Sequence, residues 1–298
     1  MIKKTKKVLH KVLPLLVLLP AFFLMFIFLF VPLIVTLQYS LTNMSLLGQS
    51  NNYVSFIGLD NYIRLFTSGV FYRSLANTFL LILFSAILGQ QLLGGVIAYL
   101  LQKTNYVFRK FIRFSLTMGW LLPDIVVAFL FFYMFSAEGL VNFVLFSRNI
   151  SGISWLFTFG LPILLIADIW SNTAFSVTTY EGFFSSLHRE WYEAAAIDGA
   201  SSFSMCINIT IPLIIKPALS NILFCILRTV GIFSLVFLLT GGGPANSTNV
   251  ISLYIYQNSI AVSSIGYGAA IGFVTFIIVT IISQAFVTVN KARDELYE

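Results

Sequence analysis

Residues Trp191 to Pro212 read WYEAAAIDGASSFSMCINITIP. The stretch carries Glu193 and Asp198 and lies between two long apolar runs. Glu193 to Ala196 is a strong helix former, and Gly199, with no side chain, permits a turn or a close backbone approach. The pattern predicts a short helix, a turn, and a second helical stretch ending at Pro212. In so apolar a chain, a charged, alanine-rich segment between membrane spans predicts a helix held at the membrane surface to touch something soluble. A helix lying on lipid would carry Lys and Arg on its polar face, whereas here Glu190, Glu193 and Asp198 outnumber Arg189.

Composition sets the class. The 298 residues are 58% hydrophobic, 16% aromatic and 9% charged, with a mean hydropathy of +0.93. A soluble domain carries about 25% charged residues, so the chain reads as an all-α, polytopic integral membrane protein embedded in lipid. Its net charge of +6 does not point to nucleic acid, because the basic residues cluster at the ends of apolar runs, as the positive-inside rule requires. Cys206 and Cys225 lie in or beside apolar segments and read as reduced structural residues, with no disulfide or metal framework. No nucleotide-binding, calcium-loop, zinc-protease or nucleophile-elbow motif occurs, and His10 and His188 both sit at the edges of apolar runs. No catalytic centre, cofactor or metal is expected, so energy must come from a partner or an ion gradient.

The apolar runs place the spans. A crossing needs about 20 apolar residues, and six runs qualify: residues 12–37, 75–101, 114–135, 155–184, 212–239 and 260–289. The first is too long for a signal peptide and lacks a small-residue cleavage site; Pro20 and Pro32 should bend it. Gln90, Gln91 and the pair Gly94–Gly95 in the second run mark helix contact. The loops at 38–71, 136–154 and 241–259 are placed outside. Lys3, Lys4, Lys6, Lys7, Lys11, Lys103, Arg109, Lys110, Arg113, Arg189, Lys216, Lys291 and Arg293 then fall inside, against Arg64, Arg73 and Arg148 outside. The division is a cytoplasmic tail at 1–11, a transmembrane domain at 12–290 with its polar loop at 185–212, and a cytoplasmic tail at 291–298. Both termini are cytoplasmic, and the polar loop lies in the cytoplasm between spans four and five.

There the loop resembles the EAA loop of binding-protein-dependent ABC importer permeases: Glu-Ala-Ala, three residues, Gly, nine residues, Ile, one residue, Leu-Pro. The chain has Glu193-Ala194-Ala195, Gly199, Ile209 and Ile211-Pro212, with Ile211 where Leu is usual. Phe56-Ile57-Gly58-Leu59-Asp60-Asn61-Tyr62 resembles the F-x-G-L-x-N-Y element of the carbohydrate-type branch, which includes the maltose-transporter permeases. Leu239 to Thr248 resembles its L-T-x-G-G-P element, and Gly266-Tyr267-Gly268-Ala269-Ala270 its G-x-A-x-A stretch. His188 stands where Pro is common, and Glu181 where a small residue is common.

The resemblance implies a transport subunit of a bacterial cell membrane, paired with a second, similar permease. Cytoplasmic ATP-binding subunits would supply the energy, and an extracellular binding protein would deliver a carbohydrate. Glu193, Ala194, Ala195, Asp198 and Gly199 would form the coupling helix that docks on the ATPase, with Glu193 as the anchoring charge. The resemblance also implies a mid-membrane substrate site at Asp168, Asn172 and Phe175 on span four and Cys225, Arg228, Thr229 and Ile232 on span five. Each set has the spacing of one helix face. Ionisable residues inside spans default to function, and Asp168 is the expected partner of Arg228. A structural ion pair is the plain alternative for these two. An arginine in the pocket also admits an acidic sugar or a glycerol phosphate. A secondary carrier driven by an ion gradient would need internal repeats, which the chain lacks.

Overall fold

A computed structural model describes residues 17–47, 53–187 and 189–297; the basic tail at 1–11, the start of the first apolar run and His188 lie outside the described residues, as do the side chains of residues 189, 216 and 292–297. The described residues are helical apart from loops and one isolated antiparallel bridge between Thr42 and Phe56. The helices are α1 (Val17–Ser40), α2 (Asp60–Thr67), α3 (Gly69–Lys103), α4 (Tyr106–Leu121), α5 (Asp124–Phe135), α6 (Leu140–Phe146), α7 (Gly160–Ser186), α8 (Arg189–Ile197), α9 (Ile211–Val230), α10 (Ser234–Leu239), α11 (Ile251–Tyr256) and α12 (Ile265–Tyr297). Among the described residues, five helices are long and apolar enough to cross a membrane: α1, α3, the pair α5–α6 as Asp124–Phe146, α7, and Ile265–Lys291 of α12. A sixth crossing arises if Ser202–Ile215 and Pro217–Val230, bent by 54°, count as one. Pro217 supplies the cause, since it removes one helix hydrogen bond and crowds the preceding turn.

Prolines and π turns explain where helices bend and where they survive. In α1, a π turn at Phe26–Phe30 precedes Pro32, so the helix runs on through the proline. The third apolar run, expected as one span over 114–135, is instead split. Leu122 and Pro123 are extended (ψ 129° and 143°), α4 ends at Leu121, and α5 begins at Asp124. A residue before proline is forced out of the helical region, and proline tolerates a helix start. Asp124 then occupies the first turn of α5, where the helix dipole favours a carboxylate. The crossing starts later than expected and takes in α6, so part of the expected loop at 136–154 is helical. The fifth span also differs: α9 stops at Val230, and Gly231 to Phe233 separate it from α10.

The chain divides into two compact units. In the unit formed by residues up to Ser68 and Ile255–Ile277, the asparagine of the F-x-G-L-x-N-Y element is buried and donates to the carbonyls of Ser40 and Thr42 at 2.8 and 2.9 Å. The Tyr62 hydroxyl meets Ser40 Oγ at 2.6 Å. Gly266 lies so close to Thr42 that a Cβ would sit 2.1 Å from its carbonyl oxygen, which explains the glycine opening α12.

The second unit holds Gly69–Tyr254 and Ile278–Glu298. Its centre is the packing of α3 on α7. Gly94 makes this approach possible, because a Cβ there would meet Ser176 Cβ at 2.5 Å and backbone atoms of Ser176 and Val177 at 3.2 and 3.3 Å. Small residues let membrane helices come close enough for dispersion and interhelical hydrogen bonds to hold them. Gly94→Val is therefore expected to cost about 1–3 kcal/mol of overpacking and to lower the melting temperature in detergent by roughly 3–10 °C. An unchanged melting curve would show that the α3–α7 contact is looser than described.

Candidate substrate and coupling sites

A π segment at Ile82–Gly89 in α3 turns Gln90 and Gln91 into the helix bundle, where both are buried. Gln91 donates from Nε2 to the Ala86 carbonyl at 2.9 Å. Its Oε1 accepts from the Tyr180 hydroxyl at 2.7 Å and from Asn221 Nδ2 at 2.8 Å. Next to it lies Asp168 of α7, 1% exposed. Its Oδ2 accepts from Ser85 Oγ at 2.5 Å and Gln90 Nε2 at 3.3 Å, and its Oδ1 from Asn172 Nδ2 at 2.7 Å. Burying a charge without such partners is prohibitive. Three donors on α3 and α7 make Asp168 a tie between these helices.

Asp168 is thus not the hydrogen-bond partner of Arg228. The Arg228 guanidinium lies 3.8 Å from Asp124 Oδ1, and both side chains are about 40% exposed (43% and 42%). That separation is a charge contact beyond hydrogen-bond range. Asp124 reaches Arg228 because the chain breaks at Pro123 and restarts there.

Gln90, Trp120, Asn172, Phe175, Phe224, Cys225 and Arg228 enclose a cavity of ≈ 190 Å³. Phe175 is its hinge: Trp120 lies 5.9 Å away by ring centroids and Phe224 6.2 Å away, the latter edge-on. The Asn172 amide is oriented by Asp168, since a carboxylate accepts and the NH₂ must face it. Asn172 Oδ1 is left buried without a hydrogen-bond partner. The cavity therefore combines aromatic faces with a loosely paired guanidinium, and its lining is almost entirely apolar.

Of the seven substrate-site residues expected from the sequence, Asn172, Phe175, Cys225 and Arg228 line this cavity, while Asp168, Thr229 and Ile232 do not. On α9, Cys225 and Arg228 reach the cavity together with Phe224, whereas Thr229 is buried and outside its lining, and Ile232 lies beyond the helix end. Cys225 meets Gln91 Nε2 at 3.4 Å and Ser176 Oγ at 3.7 Å. Sequence reasoning missed Trp120 and Phe224 and flagged Gln90 only as a packing residue. Phe224 was legible as the residue one helical turn before Arg228.

Glu181, further along α7, pairs bidentately with Arg113 of α4: Nε to Oε2 at 2.7 Å and Nη2 to Oε1 at 2.8 Å. The Glu181 side chain is 8% exposed and that of Arg113 48%. Both line a cavity of ≈ 350 Å³ between the two helices.

The loop of Trp191 to Pro212 has a distinct build. Glu193, Ala194 and Ala195 lie on α8, with Glu193 and Ala194 exposed. Gly199 at φ +78° closes the helix, with its N–H on the Ala196 carbonyl (3.1 Å) and the Ala200 N–H on the Ala195 carbonyl (2.9 Å). That left-handed stop is the pattern glycine serves best. Asp198 lies exposed in the turn. Ser201 caps the next turn by accepting from the Ser204 N–H at 3.2 Å. The second stretch does not end at Pro212: a π turn at Cys206–Thr210 runs straight into α9, which tolerates Pro212 at its start. The Tyr192 hydroxyl meets Thr210 Oγ1 at 2.9 Å, which ties α8 to the base of α9. Ile197 and Phe203 are 87% and 74% exposed.

Membrane-length helices joined by an exposed, capped loop define a polytopic helical membrane protein. Residues 91–293 match the family described as "Binding-protein-dependent transport system inner membrane component". The chain belongs to this family: it is an ABC-transport permease, a transport component and not an enzyme. It is 32% identical over 248 residues to the trehalose/maltose transport system permease protein of Thermococcus litoralis, covering 80% of this chain and 81% of that one. It is 28% identical over 242 residues to the sulfoquinovosyl glycerol transport system permease protein of Agrobacterium fabrum, covering 80% and 78%. Its fold is similar to that in the crystal structure of a bacterial ABC transporter involved in the import of the acidic polysaccharide alginate, with a TM-score of 0.81, 24% identity, and coverage of 97% of this chain and 99% of that one.

Proposed function

We propose that this chain is one of two membrane subunits of an ATP-driven importer that carries a sugar or oligosaccharide across a bacterial cell membrane. It crosses the membrane six times with both termini in the cytoplasm. α8 is the coupling helix, docked by Glu193, Ala194, Ala195, Asp198 and Gly199 on a cytoplasmic ATP-binding subunit. A second, similar permease completes the pathway, and an extracellular binding protein delivers the cargo. Relatives named for sulfoquinovosyl glycerol, trehalose/maltose and lactose support a carbohydrate.

The observation that carries the cargo reading is the cavity around Phe175. Aromatic faces suit the apolar faces of pyranose rings, and the Arg228 donors suit hydroxyls. The loose contact between Arg228 and Asp124 favours a second reading in which the guanidinium recognises an acidic sugar. Arg228→Ala is expected to slow uptake about tenfold or more, a loss of about 1.4 kcal/mol, while the complex still assembles. If the cargo is acidic, the loss reaches about a hundredfold and neutral sugars are spared. Uptake kinetics identical to the parent would assign Arg228 to structure alone.

A further inference from the structure

The cavity at Phe175 and the cavity at Arg113–Glu181 share walls on α4 and α7; α3 and α9 complete the first. On α4, Arg113, Thr117 and Trp120 are spaced as one face, and Trp120 lines the first cavity while Arg113 and Thr117 line the second. On α7, Phe175 lines the first, and Thr178, Gly182 and Ser185 line the second. Phe175 to Gly182 spans roughly 10 Å of helix, about the length of two pyranose units. The two cavities follow one another along the α4–α7 pair.

Their chemistry differs. The first is aromatic, with an arginine held only loosely. In the second the Arg113 charge is neutralised by two short hydrogen bonds to Glu181, and the wall adds hydroxyls and the open backbone of Gly182, where a Cβ would meet nothing within 4 Å. The Thr178 and Ser185 hydroxyls donate to the Ala174 and Glu181 carbonyls and keep lone pairs for an incoming donor. Such a wall offers donors and acceptors without net charge, which suits a neutral, hydroxyl-rich ring.

We propose that the groove between α4 and α7 holds a second sugar subsite at Arg113–Glu181, so that an oligosaccharide longer than two units occupies both stations on its way through. This inference rests on the sugar-import reading and adds a length and charge class to it: a neutral oligosaccharide whose far end reaches the ion pair. Selection by length follows, because a disaccharide centred at Phe175 covers only about half of the roughly 10 Å to Gly182.

The test uses the assembled transporter, with its partner subunits and binding protein, in proteoliposomes. Ser185→Cys reports the inner station and Phe224→Cys the outer one, each in a Cys206→Ser parent whose buried Cys225 sets the background. Gly182→Cys, where a Cβ meets nothing within 4 Å, serves as a second inner reporter if Ser185→Cys fails to assemble. Labelling by a membrane-impermeant maleimide is followed with trehalose, maltose, lactose, maltotetraose or cellotetraose present. Both stations are expected to label. The disaccharides should slow labelling at Phe224→Cys alone, and a tetrasaccharide should slow it about tenfold at both. No labelling at either inner reporter would place that wall against lipid or protein and overturn the proposal. Protection at Phe224→Cys with none at the inner reporter would remove the second subsite and leave the sugar reading standing. Protection of both by a disaccharide would merge the stations into one site and also overturn it. No protection at either position by any of these sugars would bring down the subsite and the sugar reading together.

Discussion

Glu193→Lys is expected to reduce uptake at least about a hundredfold and to release the ATP-binding subunit, while the protein still inserts in the membrane at parental levels. The residue is exposed on α8, and α8 is tied to the base of α9 by the Tyr192–Thr210 hydroxyl contact. A force on α8 is therefore delivered to the helix that carries Phe224 and Arg228. Exposed Ile197 and Phe203 on the same loop provide apolar area to bury. A charge reversal inside a docking surface replaces an attraction with a repulsion, and truncating a desolvated charged contact alone costs about 2–5 kcal/mol. Glu193→Gln should fall between parent and Lys. The check is uptake by proteoliposomes together with co-purification of the ATP-binding subunit; full uptake by Glu193→Lys would remove the coupling role from α8.

Asp168→Leu is expected to leave little folded protein. Ser85 Oγ, Gln90 Nε2 and Asn172 Nδ2 all lose the carboxylate acceptor. A buried donor without its partner costs about 1–3 kcal/mol. Gln90 retains Ser85 Oγ at 3.0 Å, and Asn172 retains the Asp168 carbonyl at 3.0 Å, so the loss is partial for those two. The sum still amounts to several kcal/mol, a large fraction of ordinary stability. Asp168→Asn keeps the shape and one acceptor and should accumulate, with its defect confined to uptake because Asn172 is no longer aimed. Asp168 then acts as a positioning residue for Asn172. Parental melting temperature and uptake in Asp168→Leu would contradict this assignment.

The loop of Trp191 to Pro212 was the most legible part of the chain. Its charges, Gly199 and the flanking apolar runs have local meanings, and the capped helix, left-handed stop and second helical stretch follow from them. α1, α3, α7 and α12 were legible from hydropathy to within a few residues. The third apolar run reads as one span by mean hydropathy, which does not register the break that Pro123 beside Asp124 signals. That one break also hid the partner of Arg228, since it brings Asp124 to a place no sequence spacing suggests. Asp168 looked available because acids in spans are scarce; its three donors come from two helices and become visible only once α3 packs on α7. Helical spacing grouped Asn172 with Phe175 and Cys225 with Arg228, all of which line the cavity; of the two others grouped with Arg228, Thr229 is buried outside the lining, and Ile232 lies past the end of α9 at Val230.

The central claim is that this chain works as a membrane subunit within an ATP-driven, multi-subunit importer. The direct measurement is affinity purification of the tagged chain from native membranes in mild detergent, with subunit identification and ATPase assay of the eluate. The predicted result is a complex holding a second permease and ATP-binding subunits, whose vanadate-sensitive ATPase activity rises when the binding protein and its cargo are added. Recovery of the chain alone, with no second permease and no ATPase activity, would contradict it.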